Sequence, residues 1–491
     1  MNNVTKAQFA NNAMWKFVEM MCRKVISLVI STILARILMP EAYGVVGLTT
    51  VFITFSDIFI LNGFNIALIR KEKAEDIDYS TVMVLSLSLS AIVYSVFFLA
   101  APYIASFYTT PELSPVLRTI TLLLFFQSVA TVIRSKGTRE LRFKEMSLVS
   151  LASSVLGSLV GLVMAYTGFG CWALVAQQIV TNAFDMLFMI IAFKWRLTLR
   201  FSGIVAKDML KFTMGVLGSS FLDFLGNNAN GLVIGKAYSP TDLAYYNRGN
   251  MYPETISLNT YNSINSVLLP ALASKQKDLE AMKRIVRRVI SLTEYIILPM
   301  MVGMAAVADN FVEVVLTEKW NACIPIIISA CICYSINPVR AIGYNVFYAK
   351  GESGRSVRIE LFRSVFMLGN LFVTIITLKK SIYVLATMNA VIALLVAFVT
   401  HLHVKQCIGY SFRELFSDIA PSAAMSMGML VLVRLIKLIP VSQTIVFILQ
   451  ILLGASLYVF LSIITKNKNL QYLADYICEK YRRIMKSGAK Q

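Results

Sequence analysis

The sequence predicts an all-α, polytopic membrane protein with about 14 transmembrane helices. The 491 residues are 57% hydrophobic and only 15% charged, whereas soluble domains carry roughly 25% charged residues. A transmembrane helix needs about 20 mostly apolar residues. Runs of that length fall near 13–38, 43–66, 80–107, 116–134, 147–167, 171–193, 209–235, 244–269, 290–314, 322–348, 358–378, 382–403, 418–438 and 443–465.

One stretch occurs twice, two hundred positions apart, and it predicts how the helices are grouped. Residues 33–46 read ILARILMPEAYGVV and residues 233–246 read VIGKAYSPTDLAYY, so that Pro40 aligns with Pro240. Each copy is an apolar run ending in a cation, then a Pro-centred turn, then a second apolar run. Such repeats are typical of transporters. We therefore predict two six-helix lobes, two extra helices and a basic tail, at 1–200, 201–410, 411–466 and 467–491.

The distribution of basic residues predicts the orientation. The net charge is +19, and most cations fall in alternate connections such as 134–144 and 275–288. The positive-inside rule makes those connections cytoplasmic. An even number of spans then places both termini in the cytoplasm. A nucleic-acid partner is not expected, because the basic residues form no single soluble module.

Two further expectations concern the two ends of the chain. The first residues lack the pattern of a cleaved signal peptide, so we expect the first helix to stay as an anchor. In the tail, apolar residues from Leu470 to Ile484 recur at helical spacing against lysines and arginines. This pattern favours an amphipathic helix on the inner leaflet, with a solvated tail as the alternative.

Polar residues inside the apolar spans are the candidate binding residues. An ionisable group at mid-bilayer costs roughly 2.5–3.5 kcal/mol on insertion scales, so its presence asks for a partner, water or a function. Cations there could hold an anionic head group such as a diphosphate. Alternatives are snorkelling at a helix end and hydrogen bonds that only join helices. The candidates for substrate binding are Arg23, Lys24, Asn62, Asn227, Asn228, Arg248 and Arg340.

Three carboxylates in the spans are candidates for ion coupling: Asp57, Asp223 and Glu294. They could bind Na⁺ or H⁺, and no other cofactor is expected. Asp185 is a weaker candidate of the same kind. His401 and His403 offer too few ligands for a metal site. The sequence has no Gly-rich phosphate loop, HExxH or nucleophile elbow, so it predicts neither ATP hydrolysis nor another catalytic site.

Several short motifs, in their order along the chain, resemble the polysaccharide flippase family of the MOP transporter superfamily. The resemblance is greatest to its colanic-acid and teichuronic-acid export branch. It covers roughly residues 5–410, although Met39 and Leu243–Ala244 depart from the family pattern. The motifs are Leu34–Ala35–Arg36 with Pro40, Tyr43 and Gly44; Gly63–Phe64 with Ala67–Leu68–Ile69; Ala101–Pro102 with Phe107–Tyr108; Gly170 with Trp172–Ala173–Leu174–Val175; Ile234–Gly235–Lys236; Tyr245–Tyr246–Asn247–Arg248; Leu269–Pro270; and Lys319–Trp320.

The resemblance implies a fold and an activity. The fold is two six-helix lobes forming a V around a cationic cavity. The activity is translocation of undecaprenyl-diphosphate-linked oligosaccharide across the bacterial inner membrane, for O-antigen, lipopolysaccharide or exopolysaccharide assembly. Expected partners are this substrate, membrane lipids, a polysaccharide polymerase and glycosyltransferases.

Two alternative functions stay open at this point. One is a multidrug or small-solute antiporter of the same superfamily, although the cationic content speaks against cationic drugs. The other is a polysaccharide polymerase or ligase. Such an enzyme would need a large external loop with catalytic groups, and the outer loops predicted here are short.

Overall fold

The prediction of an all-α protein is confirmed. The computed structural model describes residues 6–58, 60, 63–71, 74–196, 200–376, 381–472 and 475, and these form helices and no β-strand. The α-helices are α1 (Lys6–Ile37), α2 (Pro40–Asp57), α3 (Gly63–Arg70), α4 (Asp76–Phe107), α5 (Leu113–Ile120), α6 (Leu123–Arg139), α7 (Phe143–Tyr166), α8 (Cys171–Ala192), α9 (Gly203–Ala237), α10 (Pro240–Ala273), α11 (Leu279–Phe311), α12 (Ile324–Ala349), α13 (Ser353–Ile376), α14 (Ile382–Ile408), α15 (Phe412–Ile436) and α16 (Gln443–Ile464).

Ten of the predicted spans match helices that are long and apolar enough to cross a membrane, among the residues that the structure describes. They are α4, α5 with α6, α7, α8 and the six helices from α11 to α16, the first two of these with short π and 3₁₀ segments between them. The other predicted spans coincide with α1, α2 with α3, α9 and α10. Those helices carry most of the polar candidates, which lower their hydropathy. The total of about 14 spans stays a prediction.

Both predicted Pro turns are confirmed. Helix α1 ends at Ile37 and α2 begins at Pro40, while α9 ends at Ala237 and α10 begins at Pro240. Proline suits the first turn of a helix because its missing N–H would have no intrahelical partner there. The repeated segment is therefore one helical hairpin used twice.

The predicted span 43–66 coincides with α2 and α3, and the described residues between these two helices, Ile58 and Ile60, are π-helical. The predicted span 116–134 is confirmed: α5 and α6 are separated only by a two-residue turn and together form one candidate membrane span. The apolar character runs through this turn, so hydropathy does not register it.

The chain divides into two compact units, residues 1–244 and 245–491, and the boundary falls within α10. Helix α9 thus lies in the first unit, although its sequence begins the second repeat. The predicted lobes, which end at residues 200 and 410, are defined by the sequence repeat, whereas the two units are defined by compactness. The compact units therefore do not test the lobe boundaries, which stay a prediction.

In the first unit, basic residues of the α6–α7 connection hold the ends of other helices. Arg139 donates to the carbonyl oxygens of Leu68 and Ile69 near the end of α3, at 2.9 and 3.0 Å. Arg142 donates to the carbonyl of Ala192, the last residue of α8, at 3.1 Å. Cations at helix C-termini satisfy free carbonyls and complement the helix dipole. These residues were predicted from charge only as cytoplasmic markers, and they also have this structural role.

In the second unit, α15 and α16 pack against α11. Two guanidinium–carboxylate pairs join α11 to α15: Arg287 with Asp418 at 2.8 Å, and Asp309 with Arg434 at 2.9 Å. The hydroxyl of Tyr458 on α16 donates to the backbone carbonyl of α11 residue 295, also at 2.8 Å. The two helices beyond the repeat are therefore fixed to the unit by polar contacts as well as by apolar packing.

The helix-capping role of Arg139 is testable. Arg139→Gln removes the charged donor at the end of α3, so we expect the free energy of unfolding to fall by about 1–2 kcal/mol. Thermal unfolding of the purified protein in lipid nanodiscs measures the effect. Arg196→Gln, at an exposed arginine, is the matched control. Equal melting temperatures for the two variants would show that the contact contributes nothing.

Candidate functional site

A polar cavity of about 340 Å³ lies inside the first unit, between α1, α6, α7 and α8. Its central feature is an ion pair in which Arg134 Nη2 of α6 lies 2.5 Å from Asp185 Oδ1 of α8. The same guanidinium group donates to Ser150 Oγ of α7 at 2.9 Å. Ser153 Oγ lies 3.4 Å from the Asp185 carboxylate. One carboxylate and one guanidinium group thus join three helices around the cavity.

Arg23 brings α1 to the same cavity, of which it is a lining residue. Its Nη1 lies 3.6 Å from Glu19 Oε1, four residues earlier on the same face. The carboxylate of Glu19 is buried and accepts a hydrogen bond from Ser147 Oγ of α7 at 3.2 Å. Glu19 therefore links Arg23 of α1 to α7. Lys24 is exposed on the next position of α1 and does not line the cavity.

Asp57 is the last residue of α2, where the α-helix passes into a π-helical segment that includes Ile58 and Ile60. Its side chain is half-buried, and Oδ1 has no hydrogen-bond partner among the described residues. An ionised carboxylate is costly to bury without a partner. This environment therefore favours uptake of a proton or a small cation.

Arg248, a candidate for substrate binding, is almost fully buried in the second unit, where only 5% of it is exposed. The guanidinium carbon lies 5.1 Å from the centre of the Trp320 ring, within the range of a cation–π contact. Tyr245 packs edge-on against the same indole. In this structure the charge of Arg248 lies against an aromatic ring inside the unit.

Arg340 lies in a polar cluster between α12 and α13. It donates to Asn337 Oδ1 at 2.8 Å and to Glu360 Oε2 at 3.4 Å. Glu360 is paired with Arg363 as well, and it accepts a hydrogen bond from Tyr344 at 2.9 Å. Two guanidinium groups thus share one carboxylate. Arg340 and Arg363 are therefore linked through Glu360.

Glu294 is on α11, outside that cluster. Only 1% of the residue is exposed, and its Oε1 has no hydrogen-bond partner among the described residues. An ionised carboxylate is costly to bury without a partner. Glu294 therefore shares with Asp57 the chemistry needed to take up a proton or cation.

Three predicted site residues lie outside the residues or side chains that the structure describes: Asn62, Asp223 and Asn227. Asn228 is described, and its Nδ2 donates to the carbonyl of Phe224 in its own helix at 3.2 Å. Asn65, three residues after Asn62, accepts a hydrogen bond from Ser135 Oγ. The roles assigned to all these residues stay predictions.

Sequence reasoning missed part of the cavity in the first unit. Arg134 was grouped with the cytoplasmic cations, yet it lies within α6 and pairs with Asp185. Gln127, Thr131 and Arg134 are spaced i, i+4 and i+7, so they form one polar stripe on the helix. That stripe within an apolar run was the available signal.

A multi-pass helical bundle with charged groups inside its units defines a membrane transporter. The chain belongs to the family described as polysaccharide biosynthesis protein, which matches residues 33–325, more than half of its length. The resemblance inferred from the sequence motifs is confirmed.

Two relatives illustrate this membership. The chain is 24% identical over 361 residues to the lipopolysaccharide biosynthesis protein WzxC of Escherichia coli K12, covering 72% of each chain. It is 21% identical over 355 residues to the teichuronic acid biosynthesis protein TuaB of Bacillus subtilis 168, covering 72% of this chain and 73% of the relative.

Solved structures show the same fold at low sequence identity. The lipid II flippase MurJ in an inward closed conformation superposes with a TM-score of 0.69 at 15% identity, covering 93% of this chain and 99% of MurJ. An inward-facing multidrug resistance transporter of the MATE family, in the MOP superfamily, gives a TM-score of 0.59 at 18% identity and covers 79% and 94%. The predicted MOP fold is thus confirmed.

Proposed function

We propose that this chain moves a lipid-linked oligosaccharide across the bacterial inner membrane for surface-polysaccharide assembly. The observation that carries the proposal is the polar cavity around Arg134 and Asp185 inside a membrane-embedded unit. A polar, hydrated interior is what a sugar head group needs in order to cross a bilayer. The names of WzxC, TuaB and MurJ, which refer to polysaccharide assembly and to a lipid-linked substrate, support the same function.

The chemistry of the substrate determines which part would cross inside the protein and which part would stay in the lipid. The sugar and diphosphate would cross within the protein, while the polyprenyl chain stays in lipid. Arg23, Lys24, Arg248 and Arg340 are the proposed candidates for compensating the diphosphate charge. In this structure Lys24 is exposed, and the other three contact Glu19, Trp320 and Glu360 in that order. Both termini are proposed to be cytoplasmic. A polymerase would then use the translocated product, and glycosyltransferases would supply the substrate from the cytoplasmic side.

Transport in one direction needs a coupled process, and we propose an ion for this role. Asp57 and Glu294 each place a buried carboxylate oxygen where the described residues offer it no hydrogen bond. Asp223 is proposed to act with them. Uptake of H⁺ or Na⁺ by these groups would bias an alternating-access equilibrium only if the ion binds the two states with different affinity.

The function is tested by deletion of the gene. We expect surface polysaccharide to be lost and lipid-linked oligosaccharide to accumulate where a lectin added to intact spheroplasts does not reach it. A polymerase defect would instead leave short lipid-linked units that the lectin does bind. A multidrug antiporter, which the MATE fold keeps as the second candidate, would change drug resistance and leave the polysaccharide intact.

The proposed coupling role of Asp57 can be tested with a single substitution. Asp57→Asn keeps the shape of the side chain and removes its ionisable group, so we expect folding to be unchanged. Ion-driven transport in proteoliposomes should fall by about ten- to hundredfold, the usual range of coupling between two sites. Glu41→Gln, at an exposed carboxylate in the first turn of the same helix, is the control. Full transport by the Asp57 variant under an imposed gradient would exclude Asp57 as the coupling group.

A further inference from the structure

The lining of the cavity in the first unit indicates what kind of group it can hold. Of its lining residues, all but Ala130 carry a polar or charged side chain. Seven of them are hydroxyl or amide residues, on three different helices: Gln127, Thr131, Ser150, Ser153, Ser154, Thr181 and Asn182. The surface of such a lining is more polar than apolar. It suits a ligand with many hydroxyl groups.

The charges around the cavity are balanced in pairs. Arg134 pairs with Asp185, and Arg23 lies beside Glu19. A free anion would have to compete with carboxylates that the guanidinium groups already contact. A neutral ligand needs no such exchange, because paired guanidinium and carboxylate groups still have hydrogen-bonding positions to offer to hydroxyl groups. The balance of charge therefore favours an uncharged ligand.

One lining group has no partner of its own. The Oε1 atom of Gln127 is buried, and it makes no hydrogen bond with the described residues. A buried acceptor left without a donor is unfavourable. Most hydroxyl groups of the lining, by contrast, donate to backbone carbonyls of their own helices, as Ser154 and Thr181 do. Gln127 lines the cavity, and a rotation of its amide group would bring Oε1 to a ligand hydroxyl.

The cavity also lies at a suitable depth. Arg134 is five residues before the end of α6, and Ser150 is seven residues after the start of α7. At about 1.5 Å per residue, they lie about 7.5 and 10.5 Å from the α6–α7 turn along the helix axes. That turn belongs to the basic connections predicted to be cytoplasmic. The cavity is therefore in the half of the unit where a substrate made in the cytoplasm would enter.

We propose that this cavity is a subsite for one neutral sugar unit of the substrate, held by hydrogen bonds from Gln127, Asn182 and the Arg134–Asp185 pair. The proposal rests on the proposed function and deepens it, since it assigns a recognition role within a single unit. About 340 Å³ is at the small end of the range for small-molecule sites, which suits one or two sugar rings and not a whole oligosaccharide.

The test uses the full-length protein in lipid nanodiscs and four methyl glycosides as probes: those of glucose, galactose, N-acetylglucosamine and glucuronic acid. Saturation-transfer NMR titrations measure binding. We expect at least one of the three neutral glycosides to bind more tightly than the glucuronide. Gln127→Leu should weaken that binding by roughly three- to tenfold, as expected for one lost hydrogen bond. Gln178→Leu, the same change on α8 outside the cavity, should leave it unchanged.

A stability measurement separates this role from a structural one. Gln127→Leu removes an unpartnered buried polar atom, so the melting temperature should stay the same or rise while sugar binding falls. A fall in both would indicate a packing role and overturn the proposal. Binding of the glucuronide alone, binding of no glycoside, or equal binding by Gln127→Leu would overturn it too. The proposed function fails separately, if deletion of the gene causes no accumulation of lipid-linked oligosaccharide.

Discussion

Replacing Gly157 with leucine should lower the free energy of unfolding by roughly 3 kcal/mol or more, among the largest effects of a single substitution in this chain. A Cβ atom at this position in α7 would lie 1.9 Å from Thr181 Oγ1 and 2.7 Å from the backbone oxygen of Gln177, both on α8. The backbone oxygen cannot rotate away as a side chain can. The two helices must separate, and the cavity that they line would change shape.

The neighbouring Gly161 shows that this is an extended contact. A Cβ there would lie 2.8 Å from the Cβ of Gln177. Two glycines four residues apart let membrane helices approach closely, and their association depends on that packing. Leucine at Gly157 therefore affects the whole α7–α8 interface.

Thermal unfolding and the yield of folded protein in nanodiscs measure the effect. Gly369→Leu is a matched control, because a Cβ at Gly369, which lies within α13, meets no atom within 4 Å. We expect the control to keep the wild-type melting temperature. If the two leucine variants unfolded alike, the α7–α8 approach would be looser than the structure indicates.

The helical architecture could be predicted because it depends on properties that hold along the whole chain. Pro40 and Pro240 mark the repeated turn whatever surrounds them, since proline lacks a backbone N–H. Apolar runs of about 20 residues predict spans in the same way. The change from α-helix to π-helix after Asp57 could not be predicted, because Ile58 and Ile60 are as apolar as the rest of the run and hydropathy does not distinguish helix types.

The site was harder to predict because its residues act through partners on other helices. Arg134 follows an apolar run and precedes several cations, so its sequence context is that of a helix end. Only the structure places the Asp185 carboxylate beside it. Arg248 shows the reverse, since a cation within a polar helix looked available for substrate, yet it lies against Trp320. The sequence shows which residues are charged, but the packing of the helices determines whether each charge has a partner.

The Arg134–Asp185 pair yields the second large effect that we expect. Its side chains are 28% and 15% exposed. Removing one partner of a fully buried pair costs about 3–5 kcal/mol, because the other charge is left without compensation. Since this pair is partly hydrated, we expect Asp185→Leu to cost about 2 kcal/mol, measured by thermal unfolding in nanodiscs. Glu145→Gln, which breaks a more exposed pair with Arg142, should change stability by at most about 0.5 kcal/mol.

The double variant Arg134→Met with Asp185→Leu separates stability from function. Replacing both charges with apolar side chains of similar size should restore most of the lost stability, because no unpaired charge remains. The coupling energy from the double-mutant cycle would then be large. Export of polysaccharide should nevertheless stay low, since the cavity loses its central hydrogen-bonding groups. A double variant that is both stable and fully active would mean that the pair serves folding alone and that the sugar passes elsewhere.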